Sequence, residues 1–295
     1  MKSFLATPLS SFLHTSVFGQ RAQTRLCGKL RYANGLPRHC TTSTLVAHKQ
    51  PLPTNHLVEQ EFAELNLKSS SVQAGKVRLR QHVNPLKAEL MIPVSPPNWD
   101  DVFSDPSLPL TVDIGSGGGR FIMMLAKQNL ESCNYLGLDI RHQLVTRANR
   151  WVTELQLNNL HFVIANATVS LGSILSTYPG TLKLVTISCP DPHFKTRHHK
   201  RRIVQIQLVD SIIKSLAPSG QVFLQSDVKE VAEDMRHQFN VRVDVSLMDE
   251  LQVHPSVCDV DGWLLDNPLG IRSEREIHAL ARGGQMFRKL YTKVL

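Results

Sequence analysis

The chain has 295 residues, 42% of them hydrophobic, enough for one large domain with extensions. No uninterrupted apolar run reaches the length of a bilayer-crossing helix, so the expectation is a soluble protein. The formal charge of +8 is unevenly spread. Residues 1–58 hold Lys2, Arg21, Arg25, Lys29, Arg31, Arg38 and Lys49 but no acid, while every Asp and Glu lies from Glu59 onward. The body is therefore nearly neutral, and any attraction to nucleic acid must come from local clusters.

That basic, Ser/Thr-rich leader, with short apolar patches at Phe4-Leu5 and Phe12-Leu13, has the composition of an organelle transit peptide rather than a secretory signal. The Ser/Thr bias leans towards a plastid, with the mitochondrion as the alternative. Residues 59–109 read as an arm and connector with a short helical stretch near Glu59–Leu67. Within it, VRLRQHVNPL at 77–86 sets Arg78, Arg80 and His82 on alternate positions, which share one face if the segment is extended. Such an arm could lie against RNA, lie over a cofactor, or simply be a solvated basic segment.

From Leu110 onward strands and helices alternate. Strands are expected at Leu110–Ile114, Tyr135–Ile140, Leu160–Ala165, Leu182–Ser188, Gln221–Gln225, Val241–Leu247 and Arg288–Val294. Helices are expected from Phe121, over Arg141–Leu157 and Ile203–Leu216, and over Val228–Phe239, with a turn at Pro218-Ser219-Gly220. This order predicts an α/β domain over 110–295, a parallel sheet with helices on both faces. Five cysteines, Cys27, Cys40, Cys133, Cys189 and Cys258, lack Cys-x-x-Cys spacing and a matching His pair, so neither a metal site nor a disulfide framework is indicated.

Gly115, Gly117, Gly118 and Gly119 follow the first strand. A dinucleotide fingerprint would need a further Gly where Arg120 stands, so the turn fits the Gly-x-Gly-x-Gly of class I S-adenosylmethionine-dependent methyltransferases better. Asp113 precedes the turn and could reach the amino-acid end of such a cofactor. Asp139 closes the second strand, where a carboxylate accepts from ribose hydroxyls or merely caps the next helix. Asn166-Ala167 closes the third, where an amide can read adenine beside a small residue. All lie at strand C-terminal ends, where open α/β sheets bind ligands. NAD is the competing cofactor.

The fourth strand runs into Cys189-Pro190-Asp191-Pro192. Two prolines flanking Asp191 restrict the backbone and hold the carboxylate at the strand tip. Lys195, Arg197, Lys200, Arg201 and Arg202 crowd the following segment with His198 and His199. At the start of a helix each cation would oppose the macrodipole at roughly 0.3–1 kcal/mol, so their retention suggests phosphate ligands.

With these motifs on the page, the chain resembles the tRNA (guanine-N7)-methyltransferase family over about 110–295. The most specific element is PDPHFK with its basic run, similar to the family's Pro-Asp-Pro-aromatic-Lys signature. DIGSGGGRF, LGLDIR and the Asn-Ala pair resemble its cofactor segments, QSDV its strand-end Asp, and GIRSERE its C-terminal substrate motif. The family's usual Thr three residues before Glu274 is Ile271 here, and Cys189 replaces the commoner Phe before the first proline.

The resemblance implies a Rossmann-like class I methyltransferase fold with a mostly parallel seven-stranded sheet flanked by helices. It implies S-adenosyl-L-methionine as methyl donor and N7 of a variable-loop guanine in tRNA as acceptor. Asp191 is the expected catalytic residue. Asp113, Gly115, Gly117, Asp139, Ile140, Asn166 and Ala167 are the expected cofactor contacts. Lys195, Asp227, Arg272, Ser273 and Glu274 are the expected substrate contacts. Bacterial relatives of this family work without a partner subunit, and an organelle enzyme is expected to do the same. A small-molecule methyltransferase, an NAD-dependent oxidoreductase and a non-catalytic RNA-binding subunit are the competing readings.

Overall fold

Two fully buried apolar runs seed the sheet. In a computed structural model, which describes residues 54–67, 83–242, 247–249 and 257–294, Leu110–Ile114 (β1) and Asn134–Asp139 (β2) are buried at every position. Strands covered on both faces read as continuous hydrophobic segments and pair in parallel. Leu160–Ile164 (β3), Leu182–Ser188 (β4) and Leu216–Ser226 (β5) extend the parallel sheet. Phe287–Lys293 (β7) pairs antiparallel with β5, and the three-residue Leu247–Asp249 (β6) pairs antiparallel with β7. The order is β3-β2-β1-β4-β5-β7-β6. Six strands are substantial and the seventh is a short edge segment.

The helices are Thr54–Glu61 (α1), Trp99–Val102 (α2), Arg120–Gln128 (α3), His142–Glu154 (α4), Ala167–Leu175 (α5), Ile206–Ser215 (α6), Lys229–Asn240 (α7) and Glu274–Ala281 (α8). One buried cluster joins Val112, Leu136, Leu171, Ile212 and Phe239 with Trp99 and Phe103 of the connector. A second joins Met123, Ala148, Trp151 and Phe162 with Val58, Phe62 and Leu65 before the domain, and with Ile271 and Ile277 near the C-terminus. The folded body thus takes in residues from α1, whose first five lie in the stretch read as leader. Residues 54–67 and 83–109 are packed parts of it rather than appendages.

Several expectations shift. The expected strand at Val241–Leu247 fails at its start: Val241 and Arg242 close α7, and 243–246 lie outside the described residues. Pro218-Ser219-Gly220 does not end an element; it bulges within β5, where the register jumps between Leu182↔Leu216 and Leu184↔Gln221 and Ser219 takes φ +61°. The arm residues Arg78, Arg80 and His82 lie outside the described residues. The basic run does not open α6. It forms its own 3-10 helix, Thr196–Arg201, with His198, His199, Lys200 and Arg201 in its last turn. Cations in that last turn agree with the helix dipole, so the electrostatic cost that pointed to phosphate ligands is left only for Lys195 at the N-cap and Arg197 in the first turn.

Candidate active site

The C-terminal tips of β1, β2, β3 and β4 open onto one cleft of about 840 Å³. Gly115, Asp139, Ile140, Asn166 and Ala167 line it from the first three strands, and Cys189 to Phe194 from the fourth. Val83, Pro85, Leu86 and Met91 of the connector line it as well. Asp191 and Gly115 of the glycine turn therefore share a single cavity.

On the cofactor side, Asp139 is almost fully buried, and both its oxygens are engaged. Oδ2 accepts from Gly117 N–H at 2.9 Å, and Arg141 donates from Nε to Oδ1 at 2.8 Å and from Nη2 to Oδ2 at 2.7 Å. Gly117 adopts φ +57° to aim its N–H this way, a conformation that favours glycine. The Asp139 hydrogen bonds, and beyond them the Asp191 charge, hold the Arg141 guanidinium still more firmly protonated than usual. Asp139 is not the N-cap residue of α4, which is Arg141, but its Oδ1 accepts from the Arg141 backbone N–H at 2.8 Å and so also secures the helix start. Asn166 caps α5, accepting from Thr168 N–H at 3.2 Å, and donates to Pro85 O at 3.2 Å. The amide expected to read adenine is thus committed to the helix and the connector.

Asp113 does not line the cleft. It lies buried beneath the turn, accepting from Thr186 Oγ1 of β4 at 2.7 Å. Burial raises its carboxyl to about 7, the Thr186 bond pulls it down, and the Asp139 charge adds to the rise. Its carboxylate is held within the sheet by β4 and is not part of the cleft wall. Gly117 likewise acts through Asp139 rather than as a lining residue.

Asp191 sits on a constrained loop. Cys189 (φ +50°) and His193 (φ +44°) are both left-handed non-glycine residues and bracket the Pro-Asp-Pro triplet. Such conformations cost on the order of 1–3 kcal/mol each and persist only where the surroundings impose them. Here Cys189 N–H donates to Gln225 O at 2.8 Å, and Arg202 Nε donates to Pro192 O at 3.0 Å. Arg202 is 6% exposed and also binds Glu230 and Asp234 of α7. It staples the Asp191 loop to α7, and its guanidinium is taken up by these bonds. The Cys189 thiol is pushed up to about 12, chiefly by burial and then by Asp227, so it is no thiolate nucleophile near neutrality. His193 is mostly buried; it meets His198 edge-on at 6.5 Å, its backbone N–H donates to Asp191 Oδ1 at 3.4 Å, and its Nε2 lies 3.9 Å from Asp191 Oδ2.

The expected substrate residues divide. Lys195 and Arg197 are exposed just after Phe194 but do not line the cleft, whereas Lys200 and Arg201 of the same run do. Asp227 lines the cleft and is paired with Arg275 of α8 at 2.7 Å; Val228 holds the α7 N-cap position. Arg272 lies elsewhere, its guanidinium gripping Glu61 of α1. Ser273 caps α8 in a reciprocal box with Glu276, so the Ser/Thr-x-x-Glu spacing falls on Ser273–Glu276 rather than on Ile271–Glu274. Ile271 is simply core. Glu274 lies outside the cleft wall, 3.6 Å from Arg120 Nη1 and so close to Gly118 that a Cβ there would come within 2.9 Å of its Oε1. Trp151 is buried under Arg147 at 4.6 Å, and Trp263 under Arg236 at 4.2 Å, so both are core rather than stacking platforms. Arg141 and Arg275 were missed; the Arg two residues after a strand-end Asp was the available signal for the first.

Comparison with known proteins completes the description. Residues 107–288 match a family model described as putative methyltransferase. A tRNA (guanine-N(7)-)-methyltransferase of Synechococcus sp. (strain JA-3-3Ab) is 47% identical over 212 residues, covering 72% of this chain and 84% of that protein. One from Trichormus variabilis is 42% identical over 221 residues, 74% of this chain and 97% of that protein.

Proposed function

The chain belongs to the tRNA (guanine-N7-)-methyltransferase family, and from that premise we propose that it methylates N7 of a variable-loop guanine in tRNA. The observation carrying this reading is the meeting of Asp191, on its doubly strained loop, with Gly115 and Asp139 in one cleft.

The residues present fit S-adenosylmethionine. Gly115 has open space on its side-chain side, so the turn leaves a ligand room against bare backbone. Asp139 brings a carboxylate to the cleft, and a ribose diol would take the places that the Arg141 guanidinium holds on it here, with Ile140 and Ala167 as apolar lining. When bound, the cofactor supplies a methyl group already activated on a sulfonium sulfur. Guanine N7 carries a free lone pair and no proton, so the protein needs no general base. Its work is orientation and electrostatics. Asp191 accepts from the guanine N1–H and N2–H edge and offsets the positive charge that builds on the purine. Asp227, held by Arg275, borders the same space. Lys195 and Arg197 meet phosphates at the rim.

The purified chain with S-adenosylmethionine and tRNA, without another subunit, should form N7-methylguanosine detectable by nucleoside mass spectrometry. Asp191→Asn should lower the rate by at least about a hundredfold with cofactor binding retained. No product from the wild type, or full activity of the variant, would refute the assignment. We further propose that the acid-free stretch read as a leader acts as a plastid transit segment only up to the start of α1 at Thr54, since Val58 belongs to the core, mitochondrion being the alternative; imaging a fluorescent fusion of residues 1–53 decides. The acid-free composition supports this.

A further inference from the structure

Phe194 directly follows the loop that holds Asp191, and its environment differs from that of every residue before it there. It is 67% exposed, while its neighbour His193 is tucked in with a side chain 12% exposed. Isolated apolar residues on a surface are ordinary. This one lines the mouth of the active-site cleft, as do exposed Leu86 and Met91 of the connector, so the opening has an apolar lip. The ring is also not on a loose tip. The left-handed turn at His193 and the Arg202 bond to Pro192 O fix the backbone that presents it. Lys195 and Arg197, both exposed, follow at once.

A rigidly mounted, solvent-facing aromatic ring with cations alongside is suited to a nucleobase whose flanking phosphates meet those cations. The guanine edge must lie at Asp191, deeper than Phe194, so the ring meets RNA that stays outside the pocket. Resting on the tRNA-methyltransferase reading above, we propose that Phe194 is a wedge. It stacks on the bases that the target guanine leaves behind when it is drawn out of the tRNA core, and so holds the guanine in the extruded state. Extrusion breaks stacking and pairing, and a side chain that occupies the gap lowers that cost.

The test uses the full chain with two tRNAs: the native one, and one whose tertiary partners of the target guanine are replaced so that the guanine is already unpaired. Single-turnover methylation by Phe194→Ala should fall about tenfold or more on native tRNA. On the loosened tRNA the loss should shrink to about twofold, and Phe194→Trp should retain the native rate. Cofactor affinity and melting temperature should match the wild type, since the ring is exposed. An equal loss on both tRNAs, or none on either, overturns the wedge. A weakened affinity for cofactor alone also overturns it, by assigning the ring to adenine. Failure of the wild type on both tRNAs would instead overturn the underlying methyltransferase reading.

Discussion

Asp113 shows how far a residue's type and position foretell its job. Its place before the glycine turn was legible, and from there a reach to the cofactor was expected. Its actual partner, Thr186, is 73 residues away on the adjacent strand, and nothing local in the sequence joins them. Enclosed between strands, its carboxyl is raised to about 7, first by burial and then by the Asp139 charge. A raised carboxyl binds its proton more tightly folded than unfolded. Between about pH 4 and 7 the folded state then holds the extra proton, so this group makes stability fall as pH rises. Asp113→Asn keeps the shape and removes the titration. Chemical denaturation across that range should show a variant whose stability relative to wild type climbs with pH, by about one proton's worth of slope. Parallel pH profiles for the two proteins would show that Asp113 ionises in the fold as it does in water.

The elements that sequence patterning finds are those whose burial is uniform or one-sided. Strands β1 to β4 and helices α3, α4, α6 and α7 stand within a few residues of expectation because continuous apolar runs and helical spacing state their burial directly. Helix α5 was missed because ATVSLGSIL is apolar or small nearly throughout and offers no polar face to set a period. The sequence of helix α8 resembles a substrate motif, and its capping role shows only in the fold. Arg272 and Glu276, four residues apart on and beside it, should behave very differently. Glu276 is 1% exposed and binds Arg288 at 2.6 Å, Gln225 at 3.2 Å and Asn267 at 3.1 Å. Since Gln225 O also anchors Cys189, this network underlies the Asp191 loop. Glu276→Ala leaves Arg288 buried and unpaired and should cost roughly 3–5 kcal/mol in denaturant unfolding. The Arg272–Glu61 pair is half in water, and its loss in Arg272→Ala should cost no more than about 1 kcal/mol. Hydrogen exchange should speed up in α1 while tRNA affinity holds; a large drop in that affinity would restore Arg272 as a substrate contact.

Across the whole molecule, the charge that matters is its distribution and not its sum. All the excess of +8 except a single charge resides in residues 1–58, so the body meets a polyanion with almost no net attraction. Its pull on tRNA must come from the rim, and the structure splits the basic run that seemed uniform in sequence. Arg202 is consumed by Glu230, Asp234 and Pro192 O, whereas Lys195, Arg197 and Lys200 face solvent. Spacing alone could not separate them, because the separation depends on α7, which follows some thirty residues later. Each phosphate neutralised releases counterions and adds about 0.7–0.9 to the slope of log affinity against log salt. Lys195→Ala combined with Arg197→Ala should therefore flatten that slope by up to about 2, with the melting temperature held. Removing Arg202 should do the reverse: a lower melting temperature and a slope near that of the wild type, measured by titrating tRNA at several salt concentrations. If the exposed pair left the slope untouched, the cationic rim would not be the surface that meets the RNA.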